Sequence, residues 1–344
     1  MSNKQKRIVR LSSSLNIISH AAVGGREERR GPLGDKFDFC DVSDTFGMDT
    51  WEMAEGEMGR VALNTALTKA NLSHTDLGLL VAGDLQNQCV GTSLGLNSFG
   101  IPFLGVYGAC STCTESLLVL SSVMENAPHI AYGAAVTTSH NSAAERQFRT
   151  PIEYGGQRSP SAQWTSTAGG AFILGRDNTH PCITEFMVGK MVDGGTMDGS
   201  NMGGAMSFAA AETILSYFEE SGESTSDIDY IVTGDLGKVG SDILREILLK
   251  ELPGAERLHT DCGLLLYDTS YQDTHSGASG CGTSASVLAS HFLPLMEEGR
   301  INRILLLSTG ALMSPSSLLQ GQNITGIAPL IRIENKQGRI RKND

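Results

Sequence analysis

Asp76-Leu-Gly-Leu-Leu-Val-Ala-Gly-Asp-Leu85 returns as Asp227-Ile-Asp-Tyr-Ile-Val-Thr-Gly-Asp-Leu236, an offset of 151 residues. Each copy is an apolar run ending in Gly-Asp, and each follows a stretch of helical character, Trp51 to Lys69 and Ala209 to Glu220. A second pair lies further on. Cys110-Ser-Thr-Cys-Thr-Glu-Ser-Leu-Leu118 matches Cys281-Gly-Thr-Ser-Ala-Ser-Val-Leu-Ala289, now offset by 171. Both lead through a helical stretch into apolar strands, Ile130 to Thr138 and Ile304 to Thr309. Gly169 to Gly175 and Ile327 to Ile333 read as the last strand of each half. The growth in offset places an insertion of about twenty residues between Leu236 and Cys281. Matches in the same order, at this length of period, mark a duplicated α/β unit and not a solenoid. We read residues 1–180 as the first half, 181–334 as the second and 335–344 as a loose polar tail.

Continuous apolar runs, separated by amphipathic helices, predict strands covered on both faces, as in a parallel sheet. The 40 glycines suit many tight turns and close backbone packing. Charge narrows the function. With 38 acidic and 26 basic residues the net charge is −12, which argues against a nucleic-acid partner. Any anionic ligand must be held by local donors against that field. No apolar run is long enough to cross a membrane, and the basic start, Met1 to Arg10, lacks the apolar core of a secretory signal. Seven scattered cysteines, at 40, 89, 110, 113, 182, 262 and 281, fit a reducing compartment without a disulfide framework. Arg26 to Arg30, before Gly31-Pro-Leu-Gly34, reads as an exposed turn.

The first elbow carries the chemistry. Gly108-Ala-Cys-Ser-Thr-Cys113 joins an apolar run to a helix, so Cys110 is expected at a helix N-terminus, where free N–H groups and the dipole favour a thiolate. The plainer alternative is a buried structural cysteine. Acyl transfer also needs a base and oxyanion donors. His259, in Leu258-His-Thr-Asp-Cys-Gly-Leu-Leu-Leu266, is the candidate base, on a loop before an apolar strand, with Asp261 to orient it. A surface histidine is the competing reading. His140 and Asn141 follow a core strand, where α/β proteins gather ligand groups. Arg146 and Arg149 follow them and offer carboxylate clamps. Cys110-x-x-Cys113 has redox or zinc spacing but no second pair at ligand distance, so no metal is expected. Gly194 to Gly204 lacks the Gly-Lys-Ser/Thr ending of a phosphate loop and reads as a loop over the site. The methionines between Met187 and Met206 read as core gap-fillers.

The duplicated unit with a cysteine elbow resembles the thiolase superfamily. Several segments carry a closer likeness: Gly31-Pro-Leu-Gly34, Trp51 to Glu55, Val81 to Gln88, Phe103 to Thr112, Ser139 to Gln157, Thr233 to Leu236, His259 to Leu266 and Ser279-Gly-Cys281. They resemble the stage V sporulation protein AD family of spore-forming bacteria, over roughly residues 20 to 334. The resemblance implies a thiolase-like fold, two α/β halves stacked in five layers, and a homodimer. It implies a non-catalytic protein that binds dipicolinic acid, free or as its calcium chelate, in the old active-site cleft. It also implies work beside membrane proteins of the same operon, at the spore inner membrane, in sporulation and germination. No cofactor is implied. By motif match the pocket holds Cys110, His259 and Ser279, the first two as vestiges of catalysis; His140, Asn141 and Arg149 are added on geometric grounds. Condensing enzymes of the superfamily place an Asn just before Thr-Ser in the second elbow, and here Cys281-Gly282 stands there. Simple thiolases carry Gly-His-Pro, and the nearest approach is His275-Ser-Gly277. Both departures favour binding over the alternative, a ketoacyl-synthase-like acyltransferase with Cys110 as nucleophile and His259 as base.

Overall fold

The computed structural model describes residues 6–148, 158–177 and 179–335. The first half supplies strands β1 (Ile8–Gly24), β2 (Leu77–Gly83), β3 (Phe103–Gly105), β4 (Tyr132–Ser139) and β5 (Ala168–Gly175). The second supplies β6 (Cys182–Met187), β7 (Tyr230–Thr233), β8 (His259–Asp261), β9 (Arg303–Leu307) and β10 (Leu330–Glu334). They hydrogen-bond in the order β8-β7-β9-β10-β6-β1-β5-β4-β2-β3. β1 is the seam, pairing with β5 along its second part and with β6 along its first, with a register shift between Arg10 and Leu15.

The main helices are α1 (Trp51–Ala70), α2 (Val90–Leu96), α3 (Thr112–Asn126), α4 (Asn141–Phe148), α5 (Met202–Ser221), α6 (Gly237–Glu251) and α7 (Cys281–Val287). The α7 stretch continues through a π turn, Leu288–Phe292, into Leu293–Glu297. Side-chain alternation along the strands builds the layers. Leu79 and Val81 of β2 face a central core with Leu117 and Leu120 of α3 and Val287 of α7. Leu80 and Ala82 turn outward onto Met58 and Leu63 of α1. Ile304 and Leu306 of β9 join the same central core, while Leu305 and Leu307 meet Met206 and Tyr217 of α5. The result is five layers: α1, a sheet, α3 with α7, a sheet, and α5 with α6. The central core draws on both halves, so neither half buries its inner face alone. Truncating Leu117 to Ala there costs about 2–5 kcal/mol.

Three readings change. The sheets are mixed: β2 pairs in parallel with β3 and β4, and β7 with β8 and β9, but β5, β1, β6 and β10 join antiparallel. Burial on both faces, not strand direction, produces continuous apolar runs, which is why the pattern misled. His259 lies on strand β8 and not on a loop, and Cys262–Leu266, expected as a strand, is a short helix. Arg26–Arg30 is a helical turn, not an open one, because Glu28 is drawn inward, where Gly25 N–H, Thr167 N–H and the Tyr267 hydroxyl all donate to it.

Candidate functional site

The first elbow is closed by its own polar groups. Ser111 N–H and its hydroxyl both donate to the Gly108 carbonyl, at 3.0 and 2.6 Å. Thr112 N–H and its hydroxyl reach the Ala109 carbonyl, at 3.3 and 2.7 Å. Ala109 has φ +52°, a left-handed turn that a non-glycine residue adopts at a cost and only when held there. A Cβ at Gly108 would lie 2.3 Å from Glu115 Oε2 and 2.4 Å from Ser111 Oγ, so a larger residue there would push those side chains aside. Cys110 therefore stands just ahead of α3, as its sequence context requires. The neighbouring N–H groups, however, are already satisfied by the elbow's carbonyls and add little to stabilise a thiolate.

What faces the sulfur is Asp235, at the C-terminal end of β7. The Cys110 thiol donates to its carboxyl group, and Ser279 and the Gly280 N–H also reach the sulfur. Gly280 N–H donates to Asp235 Oδ2 at 2.8 Å, and Thr309 Oγ1 donates to Oδ1 at 3.0 Å. Gly280 has φ +102°, a backbone conformation that glycine reaches freely and that turns its N–H toward the carboxylate. Burial, then the Asp235 charge, push the Cys110 thiol well above its ordinary pKa. Burial lifts Asp235 to about 7, with Asp261 adding to the rise. Two groups that each become anionic on losing a proton share one dry contact, so the ionised thiol is the disfavoured form.

His259 has a different hydrogen-bond partner. Its Nε2 lies 2.8 Å from Thr233 Oγ1, and among the described residues its buried Nδ1 has no partner. Burial, with a smaller contribution from Arg245, lowers its pKa to about 3. Asp261 does not hold the imidazole directly; Thr233 Oγ1 bridges them by donating to Asp261 Oδ2 at 2.7 Å. Asp261 instead accepts the Leu236 and Gly237 N–H groups, at 2.8 and 3.0 Å, and so caps α6. His140 is also buried, its Nε2 2.8 Å from the Asp44 carbonyl and its ring 5.3 Å from Trp51. Asn141 opens α4, donating its N–H to Thr167 Oγ1 and Nδ2 to the Thr165 carbonyl. Arg149 lies outside the described residues. Arg146 pairs with Glu52 across from α4.

Two cavities flank α4. Cys110 and Ser279 line the first, with Tyr107, Phe148, Thr165 and Met202 among their neighbours. Gly199 also borders it, so the 194–204 segment does lie over this cavity. Its volume is about 40 Å³, room for a few waters at most. Among the described residues lining it the charged one is Glu145, an acid. The second cavity, about 350 Å³, lies between Arg26–Arg30, the N-terminus of α4 and the 271–274 loop, and Asn141 lines it. His259 and His140 line neither. Cys110 and Ser279 thus come together, Asn141 faces the neighbouring cavity, and the two histidines lie in the wall of neither. The residue missed in the sequence is Asp235, although the duplicated Val-x-Gly-Asp-Leu had singled it out. All seven cysteines are free. Among the described residues, no three His, Cys, Asp or Glu are grouped to hold a metal ion, and no helix is long and apolar enough to cross a membrane.

Solved structures confirm the architecture. 3-oxoacyl-[acyl-carrier-protein] synthase III of Aquifex aeolicus is 14% identical, covering 93% of this chain and 99% of its own, with a TM-score of 0.57. Cerulenin-bound OleA of Xanthomonas campestris is 14% identical, covering 94% and 100%, also at 0.57. At that identity the likeness establishes a thiolase-like fold and no more. Sequence relatives go further. The family described as stage V sporulation protein AD (SpoVAD) matches residues 5–334. Stage V sporulation protein AD of Bacillus subtilis (strain 168) is 41% identical over 322 residues, 94% of this chain and 95% of that protein. The chain belongs to the stage V sporulation protein AD family of sporulation proteins.

Proposed function

We propose that this sporulation protein is a non-catalytic binding protein for dipicolinic acid, taken free or as its calcium chelate, with Cys110 and His259 as catalytic vestiges. The observation that carries this reading is the Cys110–Asp235 contact. A thiol whose buried neighbour is a carboxyl group, and whose expected base is 2.8 Å from a threonine instead, lacks the means to become a nucleophile at neutral pH. The fold is that of solved condensing enzymes, but Cys110 has Asp235 as its hydrogen-bond partner and His259 has Thr233. A homodimer is part of the proposal. Among the described residues β3 is an edge strand, with Phe103, Leu104 and Tyr107 exposed on and beside it, and an apolar edge of this kind favours pairing with a second copy. The chain would act as a peripheral protein of the spore inner membrane, held there by membrane proteins of its operon, during sporulation and germination.

The test has two arms. Purified chain titrated calorimetrically with dipicolinate, with and without calcium, is expected to give saturable binding. Mass spectrometry after exposure to acyl-CoA is expected to find Cys110 unmodified. A covalent acyl adduct on Cys110 would restore the acyltransferase alternative.

A further inference from the structure

We propose that an apolar, methionine-rich face of the second half docks an amphipathic helix with basic flanks, carried by a membrane protein. The inference rests on the attachment to membrane proteins proposed above and names the surface that meets them. A small sheet builds this face. Val192–Asp193 pairs antiparallel with Thr325–Ile327, which pairs with Gly310–Leu312. The flanking chain is fastened to it: Ile324 N–H donates to the Thr196 carbonyl at 2.8 Å, and Asn323 Nδ2 to Asp193 Oδ2 at 3.0 Å. Glycines let the neighbours close in. A Cβ on Gly194 would lie 2.5 Å from the Phe208 ring of α5, and one on Gly199 would lie 2.8 Å from Leu318 Cδ1.

These contacts put Met191, Met197, Phe208 and Leu319 on one surface, where they are 72, 58, 38 and 89% exposed. Large apolar side chains gathered in water mark an interaction surface, and covering them gains roughly 25 cal/mol per Å². Methionine suits the task, because its unbranched thioether repacks against partners of different shape. The location suits it too. Gly199, Met202 and Met313 line the Cys110 cavity from within, so a helix seated outside would press on that cavity's cover.

Charge chooses the occupant. Along residues 191–202 and 313–323 the ionisable side chains are Asp193 and Asp198, both acids. Lys190, at the near end, is already paired with Glu212 at 2.9 Å. Hydrogen bonds from Asn323 and the Gly195 N–H hold the Asp193 carboxyl below its ordinary pKa. Asp198 takes the Ser200 N–H and hydroxyl at 2.9 and 2.6 Å. An apolar strip carrying two carboxylates fits a helix with leucine-like residues on one face and Lys or Arg beside them. An anionic lipid surface would meet the same carboxylates and be repelled. A second copy would bring its own pair against them.

The probe is a fluorescein-labelled synthetic helix of about twenty residues, leucine on one face and lysine beside it, titrated with the full chain and read by anisotropy. Saturable binding is expected. Met191→Ser, Met197→Ser and Leu319→Ser together are expected to weaken it at least tenfold, and Asp193→Asn with Asp198→Asn at least threefold. All five side chains are exposed, so the fold survives, checked by circular dichroism. Val42→Ser with Leu94→Ser, exposed apolar residues of the first half, is expected to change the affinity less than twofold. If the triple variant binds like the native chain, or the first-half pair loses as much, this face is not the docking surface. Co-sedimentation with phosphatidylglycerol vesicles, or a dimer in sedimentation velocity, would overturn the proposal if the triple variant abolished it. Spore fractionation separates the two readings. A native chain absent from the inner-membrane fraction removes the attachment itself, and this docking with it. A triple variant that stays there beside the native chain removes this surface and leaves the attachment standing.

Discussion

Asp84 and Asp235 are the same residue twice, each closing a duplicated Val-x-Gly-Asp-Leu at the end of a core strand, yet they do different work. Asp84 stays within its own half. It accepts Gln86 N–H, Thr92 N–H and Thr92 Oγ1 at 2.7, 2.7 and 2.6 Å, fastening the loop onto α2. Asp235 crosses to the other elbow, where it takes Gly280 N–H, Thr309 Oγ1 and the Cys110 thiol. The reason lies in the neighbouring strands. β8 beside β7 puts Asp261 opposite Thr233, and β3 beside β2 puts Gly105 opposite Ala82. In the second half Asp261 caps the following helix, which releases Asp235; in the first, glycine offers no carboxylate and Asp84 must serve. A duplicated residue acquires a new contact when another residue takes over its old one.

Removing Asp84 gives the largest expected effect. Asp84→Ala strands three buried donors and is expected to cost about 3 kcal/mol in denaturant unfolding. It should leave the alkylation rate of Cys110 as it was. A change in that rate would show that the two aspartates are not functionally separate. Next comes His259→Ala, expected to cost about 2 kcal/mol through the lost Thr233 bond and the lost packing, again without altering Cys110 alkylation. Its pH signature has a definite sign. His259 titrates at about 3 in the fold against 6.5 in the free state, so its contribution is lost as pH falls from about 6.5 toward 3. The variant should flatten that acid limb of the stability curve.

Asp235→Asn sharpens the comparison from the other side. Without the carboxylate charge beside it, the Cys110 thiolate is less disfavoured, and alkylation by iodoacetamide, followed by mass spectrometry, is expected to accelerate about tenfold, one pKa unit. Asp235 titrates at about 7 in the fold against 3.8, so its protonated form favours folding and the contribution is lost as pH rises from about 4 through 7. The asparagine should remove that limb and leave the His259 limb in place. An unchanged alkylation rate would mean that burial alone silences the thiol.

Much of this architecture is legible in the sequence because duplication prints it twice. The paired apolar runs located β2 and β7, and the paired elbows located α3 and α7. What stayed hidden was anything set by strand neighbours. Leu79 and Leu80 look equally apolar whether the adjacent strand is parallel or antiparallel, so the mixed sheets were invisible. The contacts of the site residues were hidden for a related reason. Choosing His259 rested on the expectation that a cysteine needs a histidine, while its real environment depends on β8 lying at a sheet edge next to Thr233. Asp235 was on view as a repeat marker but carried no sign of facing Cys110, since that contact joins residues 125 positions apart across the two halves. The second cavity collects side chains from five separate segments and left no local motif at all.

The smallest expected effect separates the two elbows themselves. Cys281 is 0% exposed, and its Sγ donates to the Thr138 carbonyl at 3.0 Å. Cys110 is 6% exposed and stands at a cavity wall. The backbone explains the difference: a Cβ on Gly282 would lie 1.9 Å from the Ala168 carbonyl, so the second elbow is pressed against β5 with no space left for a ligand. Cys281→Ser puts a smaller, more polar atom in that packed position and is expected to cost about 1 kcal/mol. Cys110→Ser keeps a donor for Asp235 at the edge of a cavity and should cost less than about 0.5 kcal/mol. Thermal unfolding of the two variants resolves this. Equal costs would make both elbows plain core, and Cys110 no more a remnant of an active site than its twin.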